Sequence, residues 1–368
     1  MREALALARR GRGSTHPNPR VGAVVVKDGR VVGRGWHHAP GLPHAEVLAL
    51  REAGERARGA TVFCTLEPCS HYGRTPPCSE ALIAAGVGRV VVAQRDPNPV
   101  VDGRGMAALS AAGIEVELLD GPPAAEAAEL NAPFTKFVRT GLPLVTFKAA
   151  VSLDGKMAAA GGDACWISGK ESRRLVHRRR ALADAVLVGA GTLRRDDPLL
   201  SVRDARGRTP LRVVMTRSGS LPLEAALFRD LDTGPVLVLA PAGAEVADAR
   251  LQALGVEVVR HDGDAGEALR VLASRDVFDI VFEGGPGLAA ELFTLDLVDR
   301  LMIFVAPVLI GTGAPDLLAL PAPALMSGAV RPTDPVWRRV GADALLTARL
   351  PHAWESRPSL SSPIAAEV

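Results

Sequence analysis

His44, Glu46, Cys69 and Cys78 are the residues whose types and spacing could do chemistry. One imidazole and two thiolates can hold a zinc ion with a coordination position left open, and a carboxylate beside it can move protons. His44-Ala45-Glu46 opens the run "HAEVLALREAG", where a Glu in a first helical turn also simply suits the helix macrodipole. Two positions apart in a regular helix, side chains point about 200° from one another. His44 and Glu46 therefore converge only if His44 caps the helix, and Pro43 just before it suits an entering turn. Further on, "ATVFCTLEPCS" ends in Pro68-Cys69 and "HYGRTPPC" brings in Cys78. His71 would close a structural site as a fourth ligand. It lies only two residues from Cys69, which strains such a chelate, so a supporting or substrate role is expected of it.

The elements around these residues read as a layered α/β arrangement. In "VGAVVVKDGRVVGRGW" two strands meet at Asp28-Gly29, a dipeptide that favours the positive φ angles of a tight hairpin. A helix over about 44 to 58, a strand at 60 to 66, the cysteine loop, a helix from about 78 to 86 and the strand "RVVVAQ" follow. "GMAALSAAGIEVELLDG" adds a helix and a strand, and "AAEAAELNAPFTKFVRTG" reads as one helix running to a break at Gly141-Leu142-Pro143. Beyond it the alternation restarts with "LVTFKAAVSLDG", the helix "ESRRLVHRRRALA" and the apolar runs "AVLVGA", "LRVVMT", "PVLVLA", "VEVVR", "DIVFEGG" and "RLMIFVAPVLIG". The expected domains are residues 1–143 and 144–350, with a mobile tail over 351–368 where periodicity fails.

Composition sets bounds. The 368 residues suffice for two domains with cores, and 43 basic against 41 acidic residues leave no global field toward nucleic acid or a membrane. No apolar run reaches spanning length and the opening "MREALALARRGRG" lacks the apolar core of a secretion signal. The four cysteines form no disulfide-like framework, which fits a reducing cytoplasm; Cys64 reads as a buried strand residue and Cys165 has no assigned place.

His-x-Glu followed by Pro-Cys and a second Cys is the signature of zinc-dependent nucleobase deaminases, although the generic signature closes as Cys-x-x-Cys and here eight residues intervene. Together with "THPNPRVGAVVV", "SLDGKMA", "DDPLL" and "EGGPG", the stretch "PCSHYGRTPPC" resembles the bifunctional riboflavin-biosynthesis deaminase/reductase family, which uses this long gap. The resemblance covers all but the tail. It implies a cytidine-deaminase-like N-terminal domain and a dihydrofolate-reductase-like C-terminal domain. The first would deaminate 2,5-diamino-6-(5-phosphoribosylamino)pyrimidin-4-one; the second would use NADPH to reduce the ribosyl group, giving 5-amino-6-(5-phosphoribitylamino)uracil.

Carried over by motif, His44, Cys69 and Cys78 would hold zinc, Glu46 would shuttle the proton, and Asn18, His37 and Arg74 would meet the pyrimidine or phosphate. Ala150, Trp166, Thr192, Asp196, Gly285 and Gly287 would face NADPH. Lys148, Arg180, Leu200, Arg203 and Glu283 would face the sugar phosphate, and Ala164 stands where the family commonly has a Ser, so a hydroxyl contact is missing or replaced there. The resemblance also implies a homodimer or tetramer.

The residues themselves are less specific in this half. "DIVFEGGPGLAAELF" is a strand, a Gly-rich turn and a helix whose N-terminus could take phosphate, though such turns are often plain connections. Trp166 could stack or simply be core, "RRLVHRRR" reads as a solvated helix face, and Arg180 is its member suited to gripping a phosphate. Asp196-Asp197-Pro198 reads equally as a turn start. Lys148 and Glu283 are both suited to donate the proton that accompanies hydride transfer. Two other readings compete. A deaminase of polynucleotide bases should carry a basic surface with stacking aromatics, yet the chain has one Tyr and a net charge of +2. A non-catalytic, zinc-stabilised nucleotide sensor would have no use for Glu46 as a proton shuttle.

Overall fold

The computed structural model describes residues 1–73, 75–162, 167–352 and 354. They fall into two compact units, Met1–Gly141 and a second that begins at Leu142. Among these residues no helix is long and apolar enough to cross a membrane.

The first unit contains α1 (Arg2–Ala8), β1 (Gly22–Lys27), β2 (Arg30–Trp36), α2 (Ala45–Ala53), β3 (Thr61–Cys64), α3 (Cys78–Ala84), β4 (Arg89–Val92), α4 (Arg104–Ala111), β5 (Glu115–Leu118), α5 (Gly121–Leu130) and α6 (Ala132–Thr140). Its sheet has the order β2-β1-β3-β4-β5, with β1 antiparallel to both neighbours and β3, β4 and β5 parallel. Asp28 and Gly29 both take positive φ, as the hairpin reading required. Helix α2 lies unusually close on β2: a Cβ at Gly33 or Gly35 would come within 2.1 Å of the Ala49 or Ala45 carbonyl oxygen. Glycines on the strand and alanines 45, 49 and 53 on the helix make that approach possible, and it holds the N-terminus of α2 against the sheet. Ala23, Val25, Val62, Cys64, Val90 and Val92 fill the space between sheet and helices, so Cys64 is the buried strand residue expected.

One helix expected before the domain break is two. Asn131 separates α5 from α6 because its side chain accepts from the Arg20 amide (2.9 Å) and donates to the Arg20 carbonyl (3.1 Å). A tertiary partner 111 residues away interrupts a segment that reads as continuous.

The second unit contains β6 (Leu144–Ser152), α7 (Lys170–Arg180), β7 (Ala185–Gly189), α8 (Ala190–Asp196), β8 (Leu211–Met215), α9 (Ala226–Arg229), β9 (Val236–Pro241), α10 (Asp248–Ala253), β10 (Glu257–His261), α11 (Ala265–Ala273), β11 (Asp279–Phe282), α12 (Pro286–Thr294), β12 (Arg300–Ala306), β13 (Thr333–Val340) and β14 (Asp343–Arg349). The sheet order is β10-β9-β8-β7-β11-β6-β12-β14-β13, parallel from β10 through β12 and antiparallel at the last two strands. Alternate residues enter different cores: Leu187, Val213 and Leu237 pack on one face, Val186, Val214 and Val238 on the other. Burial on both faces is why these strands read as continuous apolar runs.

Three expectations change here. The β13–β14 hairpin went unread, because β13 is an edge strand with a Pro and charged residues that blur the alternation. Within "RRLVHRRR", Arg179 is not solvated: it makes a two-pronged ion pair with Asp279 (2.5 and 3.1 Å) that ties α7 to β11. Of the expected mobile tail, His352 is buried with its ring on the Val298 carbonyl, and the Trp354 indole donates to Asp299 at 3.0 Å. Residues 355–368 lie outside those described.

Candidate active sites

His44 is the N-cap of α2, with extended φ and ψ of −70° and 166°, and this is the condition under which it and Glu46 can face one point. Cys78 opens α3, and Cys69 stands in the preceding loop. The His44 Nδ1 is 3.2 Å from the Cys78 Sγ and 3.5 Å from the Cys69 Sγ. All three ligand atoms lie within 4.8 Å of one another. A tetrahedral zinc with its usual nitrogen and sulfur bond lengths would set such atoms about 3.5 Å apart, so donor types and spacing fit that ion. Among the described residues His71 does not join the group, which leaves the set at three, the number that keeps a coordination position open.

The electrostatics are those of a site short of positive charge. Burial pushes Glu46 up to about 6 against the pull of His44. Its Oε2 is buried without a hydrogen-bond partner. The hydrogen bond from Cys78, helped by His44, holds the Cys69 thiol down at about 4, while the same bond and burial push Cys78 up. His37, edge-on to His44 with ring centres 5.3 Å apart, is lowered to about 4 by burial and next by His44. It is therefore neutral at neutral pH and free to pair with the Asn18 amide, 3.0 Å from its Nε2. Arg74 lies outside the described residues.

Two members of this site escaped sequence reading. The Thr75 hydroxyl is 3.4 Å from the His44 Nε2 and orients the ring. Glu67, 2% exposed, accepts from the backbone amides of Asp96, Gly103, Gly105 and Met106 (2.9–3.2 Å). Its carboxylate thereby anchors the start of the cysteine loop to the N-terminus of α4, where negative charge is favoured. The contact is so close that a Cβ on Gly105 would come 1.9 Å from the Pro68 carbonyl, next to Cys69. The signal available was a Glu two residues before the Cys, which by itself says nothing about its four donors.

In the second unit a buried ionic cluster forms where the residue after β11 meets the middle of β6 and the end of α7. Arg180, last in α7, grips Glu283 through two hydrogen bonds of 2.6 and 3.0 Å, and the Lys148 ammonium on β6 is 3.4 Å from the same carboxylate. Burial by itself would raise Glu283, but Arg180 and Lys148 outweigh it and hold it at about 2. Arg180 also donates to the Ser201 carbonyl, so the loop through Leu200 is bound to the cluster. Leu200 is buried with a φ of +54°, whereas Arg203 is exposed.

Beside the cluster a cavity of about 760 Å³ runs across the ends of β7 to β10 and the turn after β11. Thr192, Gly285 and Gly287 line it, and the Gly285 amide donates to the Thr192 hydroxyl at 3.0 Å at the N-terminus of α12. This is the crevice in which open parallel sheets take nucleotides. Ala150 lies on β6 opposite Phe304, and Asp196 ends α8 exposed; neither is among the residues lining this cavity. Trp166 and Ala164 fall outside the described residues.

Residues 1–94 match the family model for the cytidine and deoxycytidylate deaminase zinc-binding region, and residues 143–334 match that for the RibD C-terminal domain. Fold and matches define the class: a zinc-dependent deaminase joined in one chain to an NADPH-dependent reductase. A RibD protein of Escherichia coli is 41% identical over 94% of this chain and 97% of its own length, and one of Aquifex aeolicus is 43% identical over 85% and 87%. The solved structure of Acinetobacter baumannii RibD covers 95% of this chain and 98% of its own at a TM-score of 0.83 and 39% identity. A Thermotoga maritima structure titled as a diaminohydroxyphosphoribosylaminopyrimidine deaminase/5-amino-6-(5-phosphoribosylamino)uracil reductase covers 95% and 97% at 0.83 and 35% identity. The chain belongs to the RibD family of bifunctional riboflavin-biosynthesis enzymes.

Proposed function

We propose that residues 1–143 remove the 2-amino group of 2,5-diamino-6-(5-phosphoribosylamino)pyrimidin-4-one as ammonia, and that residues 144–350 reduce its ribosyl group to a ribityl chain with NADPH. The observation that carries the first step is the convergence of His44, Cys69 and Cys78 within 4.8 Å, with the buried carboxylate of Glu46 two residues from His44. His44, Cys69 and Cys78 would hold zinc, whose Lewis acidity makes water nucleophilic at neutral pH. Glu46 takes a proton from the attacking water as the C2–O bond forms and delivers it to the amine as the C2–N bond breaks, so water is consumed and ammonia leaves. Asn18, held by neutral His37, presents its amide to the ring; Arg74 is assigned to the same substrate.

For the second step the bound NADPH would be the hydride source, and the acceptor would be C1 of the open-chain imine form of the sugar. Thr192, Gly285 and Gly287, with Ala150, Trp166 and Asp196, are assigned to the cofactor. Arg180, Leu200, Arg203, Ala164 and Glu283 are assigned to the sugar phosphate. Glu283 stays ionised far below neutral pH and so serves as counter-ion, which leaves the Lys148 ammonium as the proton-donating side chain.

The test uses the zinc-loaded whole protein with the diaminopyrimidine substrate. Ammonia release, followed by one NADPH oxidised per substrate once the cofactor is added, is expected. Prior removal of zinc by a chelator should abolish the ammonia and restore it on adding zinc back, while a supplied deaminated intermediate is still reduced. NADPH oxidation that precedes ammonia would reverse the proposed order.

Self-association and a reducing cytoplasmic setting complete the reading. The latter is supported by Cys69 and Cys78 being free thiols available to metal. The former is supported by edge strand β13, which exposes Val336 and Trp337 beside exposed Leu325, Met326 and Val330. Trp337→Lys should move the protein from a dimer or tetramer to smaller species by light scattering at micromolar concentration. An unchanged mass would remove this edge from the interface.

A further inference from the structure

The cavity of the second unit is longer than its chemistry explains. Lys148 on β6 and Glu283 after β11 stand outside its lining, Glu283 two residues of chain before Gly285, and the lining begins over the N-terminus of α12 beside Thr192. Strand order then dictates where the remainder of a dinucleotide must go. From β11 the parallel neighbours are β7, β8, β9 and β10, four intervals of about 4.8 Å, or roughly 19 Å of crevice. The groups waiting there are Thr216, Arg217 and Ser218 after β8, and His261 at the end of β10, all lining the cavity.

Two of these groups lack the partners their chemistry calls for. His261 is 7% exposed, yet both ring nitrogens are without a hydrogen-bond partner. Arg217 has its guanidinium largely in solvent and a single ion pair, 2.8 Å to Glu291 of α12, which also lines the cavity. A site for NADH places a carboxylate against the ribose 2′-hydroxyl, whereas one for NADPH places an Arg against the 2′-phosphate. The strand end in question reads Thr216-Arg217-Ser218 and Arg194 and Arg195 stand on the same rim, while the two carboxylates in the lining are engaged, Glu291 with Arg217 and Asp264 with the Gly266 and Glu267 amides at the start of α11.

We propose that Arg217 reads the 2′-phosphate of the cofactor's adenosine, exchanging its Glu291 partner for the phosphate, and that His261 hydrogen-bonds the same nucleoside. This rests on the cofactor reading of Gly285, Gly287 and Thr192. Arg217 then decides the choice between NADPH and NADH, and His261 contributes to both equally.

The test is calorimetric titration of the zinc-loaded whole protein with adenosine 2′,5′-bisphosphate and with 5′-AMP, each with NADPH as competitor. The bisphosphate should bind about 10–100-fold tighter, the range of a charge-assisted phosphate contact. Arg217→Ala should remove that preference and leave 5′-AMP binding unchanged, with an unaltered melting curve showing that the loss of this exposed side chain leaves the fold intact. Glu291→Gln should strengthen bisphosphate binding several-fold by freeing the guanidinium. His261→Phe should weaken both nucleotides alike. Equal binding of the two nucleotides to the unaltered protein, or a preference that survives Arg217→Ala, would overturn the assignment while leaving the cofactor site standing. Failure of NADPH to bind or to displace the bisphosphate would instead overturn the cofactor site, and this assignment with it.

Discussion

Glu46→Gln lowers ammonia release by about 10²–10⁴-fold while the protein still carries one zinc per chain. The size is that of losing a positioned general acid–base group. Retention of metal is expected because the amide is near-isosteric and the ligand atoms belong to His44, Cys69 and Cys78. The pH profile of the unaltered enzyme gives a second check. Glu46 must be ionised to accept the proton; burial pushes it up to about 6, and a cation on the three ligands pulls it back down. Ammonia release should therefore fall with acid along a limb at or below pH 6, and the residual rate of the Gln variant should lack that limb. Metal analysis beside an ammonia assay decides the matter: full zinc and undiminished rate would remove Glu46 from the mechanism.

Glu283→Gln abolishes reduction and destabilises the second unit by roughly 3–5 kcal/mol, the cost of leaving one partner of a buried pair without its counter-ion. That corresponds to about 6–20 °C in melting temperature for a domain of this size. The cause is specific: Arg180 loses both of its bonds to the carboxylate and Lys148 loses its neighbour at 3.4 Å. The pH dependence has a defined sign. Glu283 sits at about 2 in the folded protein, below its ordinary 4.5, so its contribution is fully present above 4.5 and is lost as pH falls from there through about 2. Thermal melts at several pH values should show that acid-side loss in the unaltered protein and a flatter profile in the variant. A variant with an unchanged melting temperature would mean that the triad does not hold the sheet end together.

Chemistry that depends on residue type was open to reading along the chain. Thiols and imidazole at zinc spacing, a Glu two residues past the His, and Asp28-Gly29 at a hairpin each carry their reason locally, in ligand preference or in tolerance of positive φ. The requirement that His44 cap its helix followed from the helical repeat alone, and the cap is there. Runs such as "AVLVGA" and "LRVVMT" revealed strands because burial on both faces leaves an unbroken apolar signature.

Partners were a different matter. Neighbouring Arg179 and Arg180 look alike in sequence, yet one goes to Asp279 and the other to Glu283, 100 and 103 residues away. Glu67 gains its amide donors, and Asn131 its break in the helix, from segments that only folding brings near. Periodicity reports how much of a side chain is hidden but never what hides it, and ionic or hydrogen-bonded pairing is a property of two positions at once. The imidazole, thiols and carboxylate of the candidate metal site were thus written in the order of residues, while the counter-ion of Arg180, the anchor of the cysteine loop and the reach of the cavity came from strand order in the folded sheet.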